Sequence, residues 1–475
     1  MKQWRPDIFY CTHFTFLAMA EGDHNECNER TKLPTASISR KKVSVWSILK
    51  NCIGKDLSKI TMPVVLNEPL SFLQRLCEYM EYAELLTRAS QEDNPADRMK
   101  YVAAFAVSAL ASNWDRLGKP FNPLLGETYE LEKNNFWIIC EQVSHHPPVS
   151  AFHAESPDYK FYGAIYPQIK ICGKSIEVHP NGTVTVEFPK WKETYTWSNV
   201  NCCVHNIIVG KLWIEQHGVM EITNHTSGYV ATLTFKSSTS STKNLHRVEG
   251  FVKDISKKNI YFLYGKWTQY MYACPYEKYD QHVQNECKMK EDRDSAALPD
   301  GTQRKMFSKL NSFKLNSFRS LSLQDNTNYP PSETESNISR SESTNSLDLP
   351  HSTLLWRCKP RPENSSEYYH FTNFALQLNA RNSTMTPPDK LCPTDARLRP
   401  DILCLENGDL DGASKEKTRL EEKQRDSRKQ HKHINGVDLN PRWFKKEHSP
   451  YTNSDVWIYT GNYWDRNYEY TATIF

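Results

Sequence analysis

The 475-residue sequence predicts a mainly β fold with flanking helices, built around one large antiparallel sheet or barrel. Three observations predict it. From about residue 120 the apolar residues alternate with period two, and short turn-forming strings separate the runs. Before that point the apolar residues recur at helical spacing behind Asn and Pro signals. The chain is 38% hydrophobic and 12% aromatic, enough to bury a core, yet its mean hydropathy of −0.68 requires a long polar stretch somewhere.

Residues 1–42 carry no clear periodicity and are read as a disordered tail. Basic Met1 to Arg5, partly apolar Ile8 to Leu17 and Ala18-Met19-Ala20 imitate a secretory signal, but Thr12, His13 and Thr15 break the apolar run, so cleavage is not expected. Val45, Ile48, Leu49 and Ile53 then fall at helical spacing, and Gly54 ends that short helix. A second helix is expected with Asn67 as its cap and Pro69 in its first turn; Leu70, Leu73, Leu76, Cys77 and Met80 form its apolar stripe. A third starts the same way, with Asn94 then Pro95, and Tyr101, Val102, Phe105, Val107 and Leu110 make it apolar nearly all round, hence buried.

Strands follow. Ser175 to His179, Pro180-Asn181-Gly182 and Thr183 to Phe188 read as a hairpin. Tyr229 to Lys236 is a strand, and Val248 to Asp254 with Ile260 to Trp267 is a second hairpin across Lys257-Lys258-Asn259. Residues 285–348, rich in serine, asparagine and charge, are read as a disordered insert that explains the low hydropathy. Strand-like sequence resumes at Leu354-Leu355-Trp356 and at Phe371 to Leu378. Lys415 to His433 has helical composition, and the aromatic tail Tyr451 to Phe475 needs a surface to cover, so it is expected to pack back on the body. Residues 43–475 are thus expected to form one domain interrupted by the insert.

The net charge of +3 is too balanced for a dedicated nucleic-acid binder. The longest apolar run, Tyr101 to Ala111, falls short of the ~20 residues of a membrane span. Thirteen cysteines, none in a C-x-x-C pair, point to reduced cytosolic thiols rather than a disulfide frame.

Three strings could carry chemistry. In Glu141-Gln142-Val143-Ser144-His145-His146-Pro147-Pro148 the prolines forbid helix and fix the exit from a strand, so a bend there can bring two imidazoles to one anion. For His145-His146 a purely structural role is the plain alternative, and a metal role would need a third ligand that no H-E-x-x-H pattern supplies. Gly118-Lys119-Pro120-Phe121-Asn122-Pro123-Leu124-Leu125-Gly126-Glu127 is a shaped loop that offers an ammonium and backbone N–H groups, suited to an anion or serving as an ordinary turn. Lys417, Glu421 and Arg425, spaced four and four, share a helical face that is either a solvated ion-paired surface or part of a site. Asn407 to Gly412 imitates the start of a calcium loop but lacks the glutamate at its twelfth position. No nucleophile elbow, catalytic triad or dinucleotide fingerprint is present, so neither enzyme nor cofactor is expected.

Taken together and in order, these strings resemble the oxysterol-binding protein family. Glu141 to Pro148 reads as its fingerprint, Lys119 to Glu127 as the loop upstream, and Pro393 to Arg425, with Arg397-Leu398-Arg399-Pro400-Asp401 and Glu406-Asn407-Gly408-Asp409, as its C-terminal block. Val45-Trp46-Ser47-Ile48-Leu49 and Trp213-Ile214-Glu215-Gln216 look most like the short, sterol-handling members, the group of related proteins 1 and 2. The resemblance implies a near-closed antiparallel barrel around a hydrophobic lipid tunnel, with an N-terminal lid at Val43 to Gly54. It implies a cytosolic lipid transfer protein or sensor, peripheral on membranes and at membrane contact sites, that exchanges a sterol (cholesterol or an oxysterol) for a phosphatidylinositol phosphate. A phosphatidylserine carrier and a lipid-dependent scaffold protein are the alternatives. By matching positions, Lys119, His145, His146, Lys417 and Arg425 would hold the inositol phosphates, Glu421 would orient the bases, and Asn122 would offer its backbone. Leu57, Trp46, Ile48 and Leu49 would face the lipid tails. An ankyrin array or pleckstrin-homology domain is not expected before residue 43. The two-phenylalanine acidic motif that docks short relatives to an ER membrane receptor is not seen, and Asp7-Ile8-Phe9-Tyr10 is only a faint echo of it.

Overall fold

The computed structural model describes residues 30–37, 46, 48, 50, 62–133, 135–237, 245–296, 349–380, 390–435, 440–469 and 471–475. Within the stretch read as a tail, Arg30 to Ser37 lies against the body: Leu33 is 3% exposed, and Arg30 pairs with Glu406 at 2.8 Å. Of the residues expected at the lid and the lipid tails, Trp46 and Ile48 are helical and half-buried, while Leu49 and Leu57 lie outside the described residues.

Asn67 does not start a helix. Pro69 holds its neighbourhood extended as strand β1 (Asn67–Ser71), and the Asn67 Nδ2 donates instead to the carbonyls of Lys119 and Pro120 at 3.1 and 3.3 Å. Helix α1 (Phe72–Cys77) starts at the next cap-type residue, Ser71, whose N–H donates to Gln74 Oε1 at 2.8 Å. The expected stripe of Leu70, Leu73, Leu76, Cys77 and Met80 is buried all the same. A further helix, α2 (Glu84–Gln91), leads to α3 (Pro95–Ser108), which begins as its sequence dictates, the Asn94 side chain accepting from Ala96 N–H at 2.8 Å. Eleven of its fourteen residues are buried, and Phe105 meets Phe161 and Trp197 edge-on. This helix is the plug of the core. Its one buried cation, Arg98, is held by both oxygens of Glu193 at 2.7 Å.

Strand β2 (Lys119–Phe121) pairs in parallel with β1. The main sheet then runs through β3 (Thr128–Lys133), β4 (Phe136–His145), β5 (Pro148–Glu155), β6 (Lys160–Cys172), β7 (Ser175–Asn181), β8 (Val184–Phe188), β9 (Glu193–Trp197), β10 (Asn201–His205), β11 (Trp213–Asn224), β12 (Val230–Phe235), β13 (Arg247–Lys253), β14 (Asn259–Lys266), β15 (Tyr270–Pro275) and β16 (Thr353–Arg357). All its neighbours are antiparallel. The β13–β14 hairpin and the strand at Thr353–Arg357 are as expected.

The expected hairpin at Ser175 to Phe188 is corrected. Strands β7 and β8 do not pair with each other; both pair with β6, β7 along Tyr166–Cys172 and β8 along Lys160–Gly163. Pro180-Asn181-Gly182 is a corner in a nearly continuous edge, not a turn. Gly182 has φ +119, and a Cβ there would stand 2.0 Å from Ala164 O, so glycine is required by close approach. This corner has a topological consequence. Because β6 and β11 are long enough to take two partners at different heights, β6, β8, β9, β11, β10 and β7 pair in a closed ring.

Helix α4 (Tyr276–Ala296) runs into the expected insert, of which 297–348 lie outside the described residues. Phe371 to Leu378 is not a strand: Thr372 accepts from Ala375 N–H at 3.1 Å and starts helix α5 (Asn373–Gln377). Helices α6 (Pro400–Glu406) and α7 (Leu410–Asn435) follow. The C-terminal aromatics pack back through β17 (Phe444–His448) and β18 (Asp455–Tyr459), with Trp443, Phe444 and Tyr463 buried against Ile139 and Val143. No helix among the described residues is long and apolar enough to cross a membrane.

Candidate functional site

Alternation along the ring strands turns one side chain in two toward a cavity of about 310 Å³, near the lower end of the roughly 300–1,000 Å³ found for small-molecule sites. Ile165, Pro167 and Ile169 of β6, Ile176 and Val178 of β7, Cys202 and Val204 of β10, and Ile214 and Gln216 of β11 line one wall. The opposite wall comes from α1 and the segment Leu117 to Asn122. The lining is mostly apolar, with a few polar groups: Arg75, Tyr79, Asn113, Arg116, Lys119, Asn122, Asn199 and Gln216. Asn199 Nδ2 donates to Tyr79 Oη at 2.9 Å. Gln216, 2% exposed, has its Oε1 buried without a hydrogen-bond partner. Such an acceptor is costly unless a ligand supplies a donor.

The cavity reaches Lys119, Asn122 and Pro148, where two of the sequence strings meet. The first is held from below. Glu127 accepts from Ser71 Oγ, from Leu124 N–H at 2.9 Å and from Arg399 Nη1 at 2.8 Å; the same guanidinium nitrogen donates to Asn122 O at 2.8 Å. Asp401 grips the other side of Arg399 at 2.8 and 2.9 Å. Arg399 therefore fixes the loop carrying Lys119. The second string sits at the β4–β5 turn, where His145 pairs with Pro148. The turn, with a cis His146-Pro147 bond, brings the two imidazole centroids to 4.5 Å. Glu141, at the head of the same string, is buried and takes the Arg442 and Trp443 N–H groups at 2.8 and 2.9 Å; burial pushes its carboxyl up to about 7. Its part is to dock the C-terminal segment.

Helix α7 brings the third string. Lys417, 8% exposed, donates to Glu421 at 2.6 Å. Burial, and then the Lys417 charge, push the half-buried Lys119 amine down to about 8, with Glu421 opposing. That places the Lys119 and Lys417 charges close enough to repel, which a bound phosphate would relieve. One turn beyond Glu421, Arg425 is exposed on the same face. Gln424, which the sequence reading did not select, ties the cluster together. Its Oε1 accepts from Leu125 N–H at 2.7 Å, and its Nε2 lies 2.9 Å from His145 Nε2. Extending the Lys417–Glu421 face by three residues would have found it. The structure thus gathers Lys119, Asn122, His145, His146, Lys417 and Glu421 beside one end of an apolar cavity, with Arg425 next along the helix. Trp46 and Ile48 pack with Met62, Leu66 and Ile207, three residues that also line the cavity. Among the described residues no three His, Cys, Asp or Glu side chains are grouped to hold a metal ion.

The family model of the oxysterol-binding protein matches residues 44–468. The chain is 50% identical over 444 residues to human oxysterol-binding protein-related protein 1, covering 92% of this chain and 43% of that protein. It is 46% identical over 443 residues to human oxysterol-binding protein-related protein 2, covering 92% of this chain and 86% of that protein. Among solved structures, the Osh1 ORD domain in complex with cholesterol superposes with a TM-score of 0.74 at 31% identity, covering 95% of each chain. The Osh3 ORD in complex with PI(4)P from Saccharomyces cerevisiae gives 0.69 at 28% identity, covering 94% of this chain and 99% of that one. With the ring-closed sheet, the apolar cavity and the basic cluster at its edge, these matches lead to one conclusion: the chain belongs to the oxysterol-binding protein family.

Proposed function

We propose that the protein is a cytosolic, membrane-peripheral lipid carrier that holds a sterol and a phosphatidylinositol phosphate in turn in one cavity and exchanges them between membranes. The observation that carries this reading is the junction of an apolar cavity with a cationic cluster: a lipid tail gains about 0.8 kcal/mol per CH₂ buried in the first, and a phosphate finds charge-assisted donors in the second. In the phosphoinositide state Lys119, Lys417, His145, His146 and Arg425 bind the headgroup phosphates, Glu421 keeps Lys417 aimed, and the acyl chains enter the cavity. In the sterol state the ring system fills the same space, and its hydroxyl donates to Gln216 Oε1. Cholesterol and PI(4)P bound to two similar folds support the pairing. Neither ligand is chemically altered, so carriage needs two competitors for one site and no enzyme chemistry.

The test is transfer between two populations of vesicles by the full chain. Sterol flux should rise severalfold when phosphoinositide is placed in the acceptor vesicles, and phosphoinositide should move the opposite way. Sterol flux indifferent to phosphoinositide would rule out exchange.

A further inference from the structure

We propose that the turns Ile171 to Ser175 and Asn206 to Lys211 form an insertion rim that seats the cavity wall around Ile207 in an anionic lipid surface. The inference rests on the carrier reading and names the surface by which it meets a bilayer.

The β10–β11 loop is built to hold apolar side chains outward. Asn206 adopts φ +65, its Nδ2 donates to Lys211 O at 3.0 Å, and Gly210 at φ +104 lets the chain close between them. Ile207 N–H donates to Lys174 O at 3.1 Å and locks this loop to the β6–β7 turn, where Gly173 has φ +59. At the loop's base Ile207 is 3% exposed and lines the cavity. The next two residues reverse this: Ile208 is 38% and Val209 81% exposed. Val209 is thus among the most exposed large apolar side chains described, on a loop whose backbone is tied by two hydrogen bonds. Ordinary scattered surface apolar residues need no account. Here two adjacent ones stand at the tip of a braced loop whose root is cavity wall.

Charge identifies the occupant. Lys170, Lys174 and Lys211 are exposed around the tip, and neither turn contains an acidic residue. The nearest carboxylates down the strands, Glu177 and Glu215, are engaged with His179, His217 and His205. An apolar tip within a lysine collar matches the boundary between acyl chains and anionic headgroups. The neighbours complete the picture: Ile171 of the rim, with Ile169, Ile176 and Leu212 beside it, packs against the same Met62, Leu66 and Ile207 cluster as Trp46 and Ile48.

The experiment uses the full chain, vesicles of phosphatidylcholine with about 20% phosphatidylserine, and an Ile208→Asp/Val209→Asp variant. Neither residue lines the cavity. Flotation should show vesicle binding reduced about tenfold by the variant, and wild-type binding weakened by salt. A single Val209→Trp change should instead tighten binding. Loading with sterol from cyclodextrin, which involves no bilayer, should be equal in wild type and variant. Unchanged flotation of the double variant would overturn the rim, as would a change confined to self-association in sedimentation velocity, which would make the tip a protein contact. Absence of sterol loading in both proteins would strike the carrier reading alone, because flotation still reports the rim.

Discussion

Replacing His145 and His146 together with alanine is expected to lower phosphoinositide extraction from vesicles by at least about a hundredfold, while sterol uptake stays within about twofold. Hydrogen bonds to a charged phosphate are worth about 1.5–3 kcal/mol each, so losing two removes about 3–6 kcal/mol, and each ~1.4 kcal/mol is tenfold. Neither imidazole lines the cavity, which is why the sterol arm should be spared. Both stand at a turn, one half-buried and one exposed, so the fold should survive and circular dichroism should be unchanged. Extraction that persists in the double variant would move the headgroup site away from the β4–β5 turn.

Replacing Arg399 with methionine should be the costliest single change to stability near the site. Its guanidinium is buried between Glu127 and Asp401, both fully buried themselves. Removing one partner of such a cluster strands the others, a loss of about 3–5 kcal/mol. Burial already pushes the Glu127 carboxyl upward, with Arg399 as the largest opposing influence, so without Arg399 this acid should be pushed further up. The Asn122 carbonyl loses its donor at the same time, and the Lys119 loop loses its brace. Urea unfolding should therefore shift by several kcal/mol, with phosphoinositide binding weakened in whatever protein remains folded. A shift under about 1 kcal/mol would mean that the cluster is not a clamp.

Where local chemistry decides structure, the sequence was legible. Asn94-Pro95 started its helix, Lys257-Lys258 lay between paired strands with Asn259 opening the second, and the C-terminal aromatics found a surface. Where a tertiary partner outbids a local signal, it was not. Asn67 had the side chain of a cap but spends it on the Lys119 and Pro120 carbonyls across the chain. Pro180-Asn181-Gly182 has turn chemistry, yet β6 offers both flanking strands a longer partner than they offer each other. Phe371 to Leu378 is apolar enough for either state, and Thr372 decides for helix. At the site, the charged residues were visible because their strings stand out: two prolines follow His145-His146, prolines and glycines shape the loop around Lys119, and Lys417, Glu421 and Arg425 are spaced four and four. The neutral and structural members were not: Gln424 makes no charge pattern, Gln216 reads as one polar residue in a strand, and the grip of Arg399 on a loop 272 residues away exists only in three dimensions.

The central claim is that one cavity serves two lipids in alternation, and native mass spectrometry of the full chain offered sterol and phosphatidylinositol phosphate together tests it most directly. The predicted spectrum contains protein with one sterol or with one phosphoinositide, the ratio shifting as either is raised, and no species carrying both. A stable complex with both lipids bound would contradict it.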